Sequence, residues 1–415
     1  MLKNYFKVAI KVLMRRKFYT FVSLFGIAFT LLILNLVVAM MDHTLAPAKP
    51  ESRLDRILTI KDARLSGESW SSSSSAGYKL LDQYARDLPC VEMMSIISDT
   101  GTVTAYIEGE KVTPQFRRTD AMIWQIMDYD FLEGGPYNEA DVSNGHFHAV
   151  INETTRKRFF GDSSAIGKSI ALDDQSFLVV GVVRDVPIVR QVAFSEIWVP
   201  LTTAKSTSYQ EQLIGGMVGV ILAESPAMFD GIRSELEHRL VDAQLPDPEK
   251  FDKLEAGAFT RYEHIARGLF DAQDPTSSPT TGRLTLIIAL MALLFMTLPA
   301  LNLVNLSLSR ILERASEIGV RKAFGASSLT LVGQFMIEAI LLTLLGSAVS
   351  LLLTAIALRV IGSSDLIPYA DLSLNLRGFL FGVGIALVFA FVSGAYPAWR
   401  MSRLHPVEAL HGRSS

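Results

Sequence analysis

Residues 159–169 read FFGDSSAIGKS and end in the Gly-Lys-Ser triplet with which nucleotide-binding loops cradle phosphate. Such a loop keeps four residues between its glycines, so that successive backbone amides close on one anion. Here five residues separate Gly161 from Gly167. The residues that follow, SIALDDQSFLVVGVVRDV, alternate and are rich in Val and Ile, which predicts strand, turn and strand rather than the helix a phosphate site requires. The stretch is read as a turn entering a β-hairpin, and no nucleotide site is found. His146 and His148 are the next candidates. Two apart in an expected strand, HFHAVINE, they share a face and could seed a metal centre. No third ligand stands out beside them, so no metal is expected. The serine run 71–75 has no base in recognisable spacing and reads as a flexible loop. Acids and histidines elsewhere form no pair or triad, so no catalytic residue and no cofactor-binding residue is assigned.

The elements that would position any site belong to a membrane protein. The chain has 415 residues, 49% of them hydrophobic and only 20% charged. Its mean hydropathy is +0.30. A net charge of -3 gives no basic field for nucleic acid, and the single cysteine, Cys90, excludes an intrachain disulfide. Four stretches are long and apolar enough to cross a bilayer, at about 20 residues each: 18–41, 284–309, 329–358 and 379–398. The fold class expected is therefore a membrane protein of four transmembrane α-helices, with a large α+β extracytoplasmic domain between helices 1 and 2.

Orientation follows from the basic residues in the short flanks. Lys3, Lys7, Lys11, Arg15, Arg16 and Lys17 precede the first span; Arg310, Arg314, Arg321 and Lys322 lie in the segment 310–328; Arg400, Arg403 and Arg413 lie in the tail 399–415. Both termini and 310–328 are thus placed in the cytoplasm, and residues 42–283 and the short loop 359–378 outside it. A cleaved signal peptide is the rival reading of the N-terminus, but its apolar core would be about 7–15 residues, shorter than this one. Lys3, Lys7, Lys11 and Arg15 recur at helical spacing beside Leu2, Phe6, Ile10 and Leu13. Residues 1–17 are accordingly expected to lie as an amphipathic helix on the inner membrane surface, against lipid headgroups.

Within 42–283, DRILTIKDARL, GTVTAYIEGEKVTPQFRRTD, QSFLVVGVVRD and SEIWVPL read as strands. SSAGYKLLDQYARDL, ETTRKRFF and PAMFDGIRSELEHRLVDAQ read as helices. PTSSPTTG reads as a linker into the second span. In the segment 310–328, Ile311, Ala315 and Ile318 share a helical face, Glu317 precedes Arg321 by four residues in the favourable order, and Gly325 can end the helix. A short helix joined rigidly to two spans suits force transfer from a cytoplasmic partner. Inside the spans, Asn35, Asn302, Asn305 and Glu338 would be costly against lipid and are expected to pack against helix partners or a second copy. Pro299 should bend the second span.

The run ERASEIGVRKAFGASSLTLVGQFMIEAIL, the ending AYPAWRMSRLHPVEALH and the start NYFKVAIKVLMRRKFYTFVSLFGIAFT resemble the FtsX/MacB family of ABC transporter permeases, the type VII or mechanotransmission type. NETTRKRFFGDSSAIGKSIALDDQSFLVVGVVRDVP is similar to that family's periplasmic core domain. The resemblance implies a non-enzymatic permease subunit in the bacterial inner membrane. It would work with a second permease copy or a paralogue, bound to a dimer of cytoplasmic ABC ATPases. It also implies that Glu313, Arg314, Glu317, Ile318, Arg321, Lys322, Ala323, Phe324 and Gly325 face the ATPase, which binds the ATP and Mg in a separate subunit. The function expected is transmission of ATP-driven motion to the periplasmic domain, for export or extraction of peptides, antibiotics, lipids or lipoproteins, with a periplasmic adaptor as a further partner. The alternative is an FtsX-like regulatory module that controls an extracytoplasmic enzyme such as a cell-wall hydrolase. A membrane-anchored external enzyme, the third reading, lacks a catalytic constellation.

Overall fold

A computed structural model describes residues 10–11, 13–15, 17–270, 280–313, 328–364, 369 and 374–402. In chain order a long helix, α1 (Lys17–Leu45), leads to β1 (Ile57–Ser66), β2 (Ser71–Ser75), β3 (Val91–Ser98) and β4 (Gly101–Thr102). The hairpin β5 (Ala105–Ile107) and β6 (Glu110–Val112) follows, then β7 (Gln115–Thr119), β8 (Phe131–Gly134), α2 (Glu139–Ser143), β9 (His148–Asn152) and α3 (Glu153–Phe160). Next come β10 (Ser169–Leu172), β11 (Gln175–Val183), β12 (Ile197–Pro200), β13 (Met217–Ala223), α4 (Phe229–Val241), β14 (Lys253–Phe259) and α5 (Arg261–Phe270). Three long helices end the described chain: α6 (Thr281–Glu313), α7 (Ser328–Gly362) and α8 (Leu376–Ser402).

The chain divides into two compact units, one of residues 44–284 with 367–370, the other of the remaining residues. In the second, α1 and Met336–Gly362 of α7 are long and apolar enough to cross a membrane, while Thr281–Phe295 and Leu376–Phe391 are shorter apolar stretches. Its core joins Ile27 and Leu31 of α1, Leu341 and Leu342 of α7 and Ala386 of α8. A Cβ on Gly346 would stand 2.7 Å from Ile27 Cγ2, so a glycine lets these two helices approach. Asn35 and Glu338 are buried. The side chains of Asn302, Asn305 and Glu313, and all of Arg314, Glu317, Ile318, Arg321, Lys322, Ala323, Phe324 and Gly325, lie outside the described residues.

The other unit is built on a twelve-stranded sheet with the order β10-β11-β9-β12-β7-β3-β13-β1-β14, with β2 on β1, β4 on β7 and β8 on β11. β9–β11 and β7–β12 are parallel pairs. In β13 alternate residues serve opposite faces. Met217, Ile221 and Ala223 enter one core, and Val218, Val220 and Leu222 the other. α4 closes the first core with Ile232, Leu236 and Leu240, one apolar stripe at helical spacing. Trp124, Tyr129 and Trp198 pack into the second, with the two indoles 6.2 Å apart.

Two expectations change. The serine run is an edge strand, paired antiparallel with Asp62–Ser66 of β1, because the backbone of that edge supplies the partners that its side chains cannot. The expected helix 74–88 shortens to Tyr78–Leu80 followed by a wider turn, Leu81–Ala85. The Gly-Lys-Ser stretch is a loop: α3 stops at Gly161 with positive φ, Gly167 turns back, and β10 and β11 form a hairpin through Asp173 and Asp174.

Candidate functional site

A cavity of about 990 Å³ opens in this unit. Its floor is the sheet, through Ile57, Ile97, Arg117 and Val218. The segment 188–194 and one side of α5 form its walls, and Thr44 and Glu51 line its edge. Its volume is at the upper end of the roughly 300–1,000 Å³ typical of small-molecule sites.

At that edge Glu51, whose carboxylate is wholly buried, takes an arginine on each oxygen. Arg190 Nη1 donates to Oε2 at 2.9 Å and Arg261 Nη2 donates to Oε1. Each guanidinium reaches one further carbonyl. Arg190 Nη2 donates to Ala46 O at 3.2 Å, and Arg261 Nη1 to Thr44 O at 3.0 Å. One carboxylate therefore holds three chain segments together: the last turn of α1 with the residues after it, the loop carrying Arg190, and the first residue of α5. Burying a carboxylate without partners is costly, and here two guanidinium groups supply them.

Deeper in the cavity Arg117 is fully buried and binds Val192 O, Thr100 Oγ1 and Gln191 O. Burial pushes its pKa down to about 10. His264 lies against Phe259 and its Nε2 is 3.2 Å from Thr59 O, so the neutral ring donates there. Burial holds its pKa below the usual histidine value. Arg267 stacks over the Phe259 ring at 4.1 Å. These groups are buried and held by hydrogen bonds or ring contacts, but they include no nucleophile–base pair. Their chemistry is binding and bracing.

Tyr369, from the connection between α7 and α8, also belongs to this unit. Its hydroxyl donates to Glu196 Oε1 at 2.7 Å, and its ring meets Phe194.

The sequence matches the MacB-like periplasmic core domain over residues 20–239 and the FtsX-like permease C-terminal region over residues 289–406. The chain belongs to the MacB/FtsX family of ABC transporter permeases. Among curated relatives, the macrolide export ATP-binding/permease protein MacB of Shewanella oneidensis is 28% identical over 344 residues, covering 78% of this chain and 47% of its own length. The MacB of Bdellovibrio bacteriovorus is 26% identical and covers 86% and 49% respectively. The chain spans about half the length of the curated relatives it matches. The crystal structure of the periplasmic region of MacB from Actinobacillus actinomycetemcomitans is 13% identical with a TM-score of 0.38, over 52% of this chain and 93% of that one.

The side chains of the residues expected to face an ATPase lie outside the described residues, and Asn35 and Glu338 belong to the other unit. Glu51, Arg190 and Arg261 were missed in the sequence. The partners lie 139 and 210 residues from Glu51, with no spacing to mark them. The one signal is an acid beside basic residues, KPESRLDR, at the end of an apolar run.

Proposed function

We propose that this permease transmits motion, driven by ATP hydrolysis in a separate cytoplasmic ABC ATPase dimer, to a periplasmic domain. The chain itself carries no catalysis and works as a dimer with a second permease copy or a paralogue. In this reading four helices span the inner membrane, and both termini and residues 310–328 are cytoplasmic. Glu313, Arg314, Glu317, Ile318, Arg321, Lys322, Ala323, Phe324 and Gly325 receive the push. Export or extraction of peptides, antibiotics, lipids or lipoproteins is the associated transport, with the cavity available to part of such a molecule.

The observation that carries the reading is the Glu51 junction in a chain of this family. Within the sheet unit, residues 44–46, the loop carrying Arg190 and the start of α5 are held together through one buried carboxylate. In this reading a push that reaches residues 44–46 or the start of α5 is passed to the strands through those bonds. The test is purification of the full chain with its ATPase from the native membrane, comparing the parent with the Glu317→Ala/Arg321→Ala variant. The variant is expected to keep the assembled complex and lose stimulation of transport by ATP. Undiminished transport in that variant overturns the coupling role.

A further inference from the structure

We propose that Asp141, His146 and His148 form a binding site for a late first-row divalent cation, with zinc the natural probe, on the external unit of this permease. The three donor atoms lie within 4.8 Å of one another. His146 Nδ1 is 3.0 Å from Asp141 Oδ1, and His148 Nδ1 is 3.4 Å from the same oxygen. The two rings stand 5.4 Å apart, tilted by 54°. With metal–ligand bonds of about 2.0–2.2 Å, neighbouring ligands of a tetrahedral ion sit about 3.3–3.5 Å apart, close to two of these separations. Two imidazoles and one carboxylate suit zinc, copper, nickel or iron(II), and not magnesium or calcium, which prefer oxygen ligands alone.

The rings do not converge by strand alternation. β9 begins at His148, and His146 sits in the turn before it. Gly145, at φ +65°, reverses the chain out of α2. His146 N then donates to Asp141 O at 2.9 Å, and His148 N to His146 O at 2.8 Å. Asp141 is positioned by a capping box. Its Oδ2 accepts from Asn138 N at 2.9 Å, while its own amide donates to Asn138 Oδ1 at 3.0 Å. One carboxylate oxygen is thus held by the helix cap and the other is aimed at both imidazoles, the outer support that oriented metal ligands have.

A plain aspartate–histidine pair accounts for only one of the two rings. His148 Nδ1 is shielded from solvent and makes no hydrogen bond among the described residues, although it points at the shared oxygen. A cation replaces the His146 proton and gives that nitrogen its partner at once. The His146 side chain is 50% exposed and that of His148 24%, so the ion is reachable from water and keeps at least one open position.

The experiment is zinc titration of the full chain in detergent against a chromophoric chelator, with cobalt as a spectroscopic substitute. One zinc per chain and visible bands of tetrahedral cobalt are expected for the parent. His146→Gln/His148→Gln should lose both. Asn138→Ala keeps every ligand and should weaken zinc binding about 10–100-fold through loss of ligand orientation. Unfolding midpoints without metal check that each variant folds. Equal zinc uptake by the parent and the double histidine variant, or no uptake by the folded parent, overturns the proposal and leaves the trio an ion-pair staple.

Discussion

Replacing Glu51 by alanine should unfasten residues 44–46 and the start of α5 from the loop that carries Arg190. The substitution removes two charge-assisted hydrogen bonds and leaves two arginines facing each other. Arg190, with its side chain 3% exposed, cannot turn to water, and its remaining bond is the 3.2 Å contact with Ala46 O. Arg261, 12% exposed, keeps Thr44 O at 3.0 Å and can partly rotate outward. Most of the loss therefore comes from Arg190. Removing one partner from a buried ion pair costs about 3–5 kcal/mol. In a unit of this size each kcal/mol lowers the midpoint by about 2–4 °C, so the expected fall is on the order of 6–20 °C. Glu51→Gln retains an acceptor for one arginine and should fall less. The assay is thermal unfolding of the full chain in detergent, followed by the fluorescence of Trp124 and Trp198, which pack in the same unit. Hydrogen exchange should show amides after residue 44 and at the start of α5 opening before the strands. A loss of no more than about 1 kcal/mol, the value of an exposed ion pair, would refute the view that this carboxylate is a buried keystone.

Two further outcomes follow from the same structure. His264 has its pKa held down by burial, with Asp62, Lys61 and Arg267 as its charged neighbours. Its contribution to stability is complete above the unfolded value of about 6.5 and is lost as pH falls from there through the folded value; the midpoint against pH should flatten in this range in His264→Gln. Gly346→Val should force α1 and α7 apart at Ile27, costing about 1–3 kcal/mol, read as a lower midpoint of the intact protein in detergent.

Much of the fold was legible because it rests on local chemistry. The hairpin β10–β11 is announced by alternation and by Asp173-Asp174, two residues that tolerate positive φ. α3 is announced by Asn152, which caps it, and by Gly161, which ends it. β13 was not recognised because MVGVILA is buried on both faces and shows no alternation to distinguish strand from core helix. β2 was read as a loop because five serines carry no strand signal of their own; pairing with the edge of β1 decides their conformation. The Glu51 junction and Asp141 share a different obscurity. Glu51 meets its arginines only after the sheet has formed. Asp141 is five residues from His146, but a capping box and a glycine turn must fold before the carboxylate meets the rings.

The nature of the Glu51 junction bears on what the unit is built to resist. Two apolar plugs in its place would bury comparable area, and buried ion pairs are often no more stabilising than the apolar residues that could replace them. Apolar contacts, however, are non-directional and allow the parts to slide or rotate against each other. Here each guanidinium is fixed by two acceptors at once, a carboxylate oxygen and a backbone carbonyl of residue 44 or 46. Any twist of residues 44–46 relative to α5 must lengthen at least one of those bonds. The charges thus convert an attachment into a fixed angle, at little net gain in stability. That is the property the proposed transmission would require of this unit and a mere anchor would not, so the arginines, rather than the cavity they border, are where that proposal is best tested.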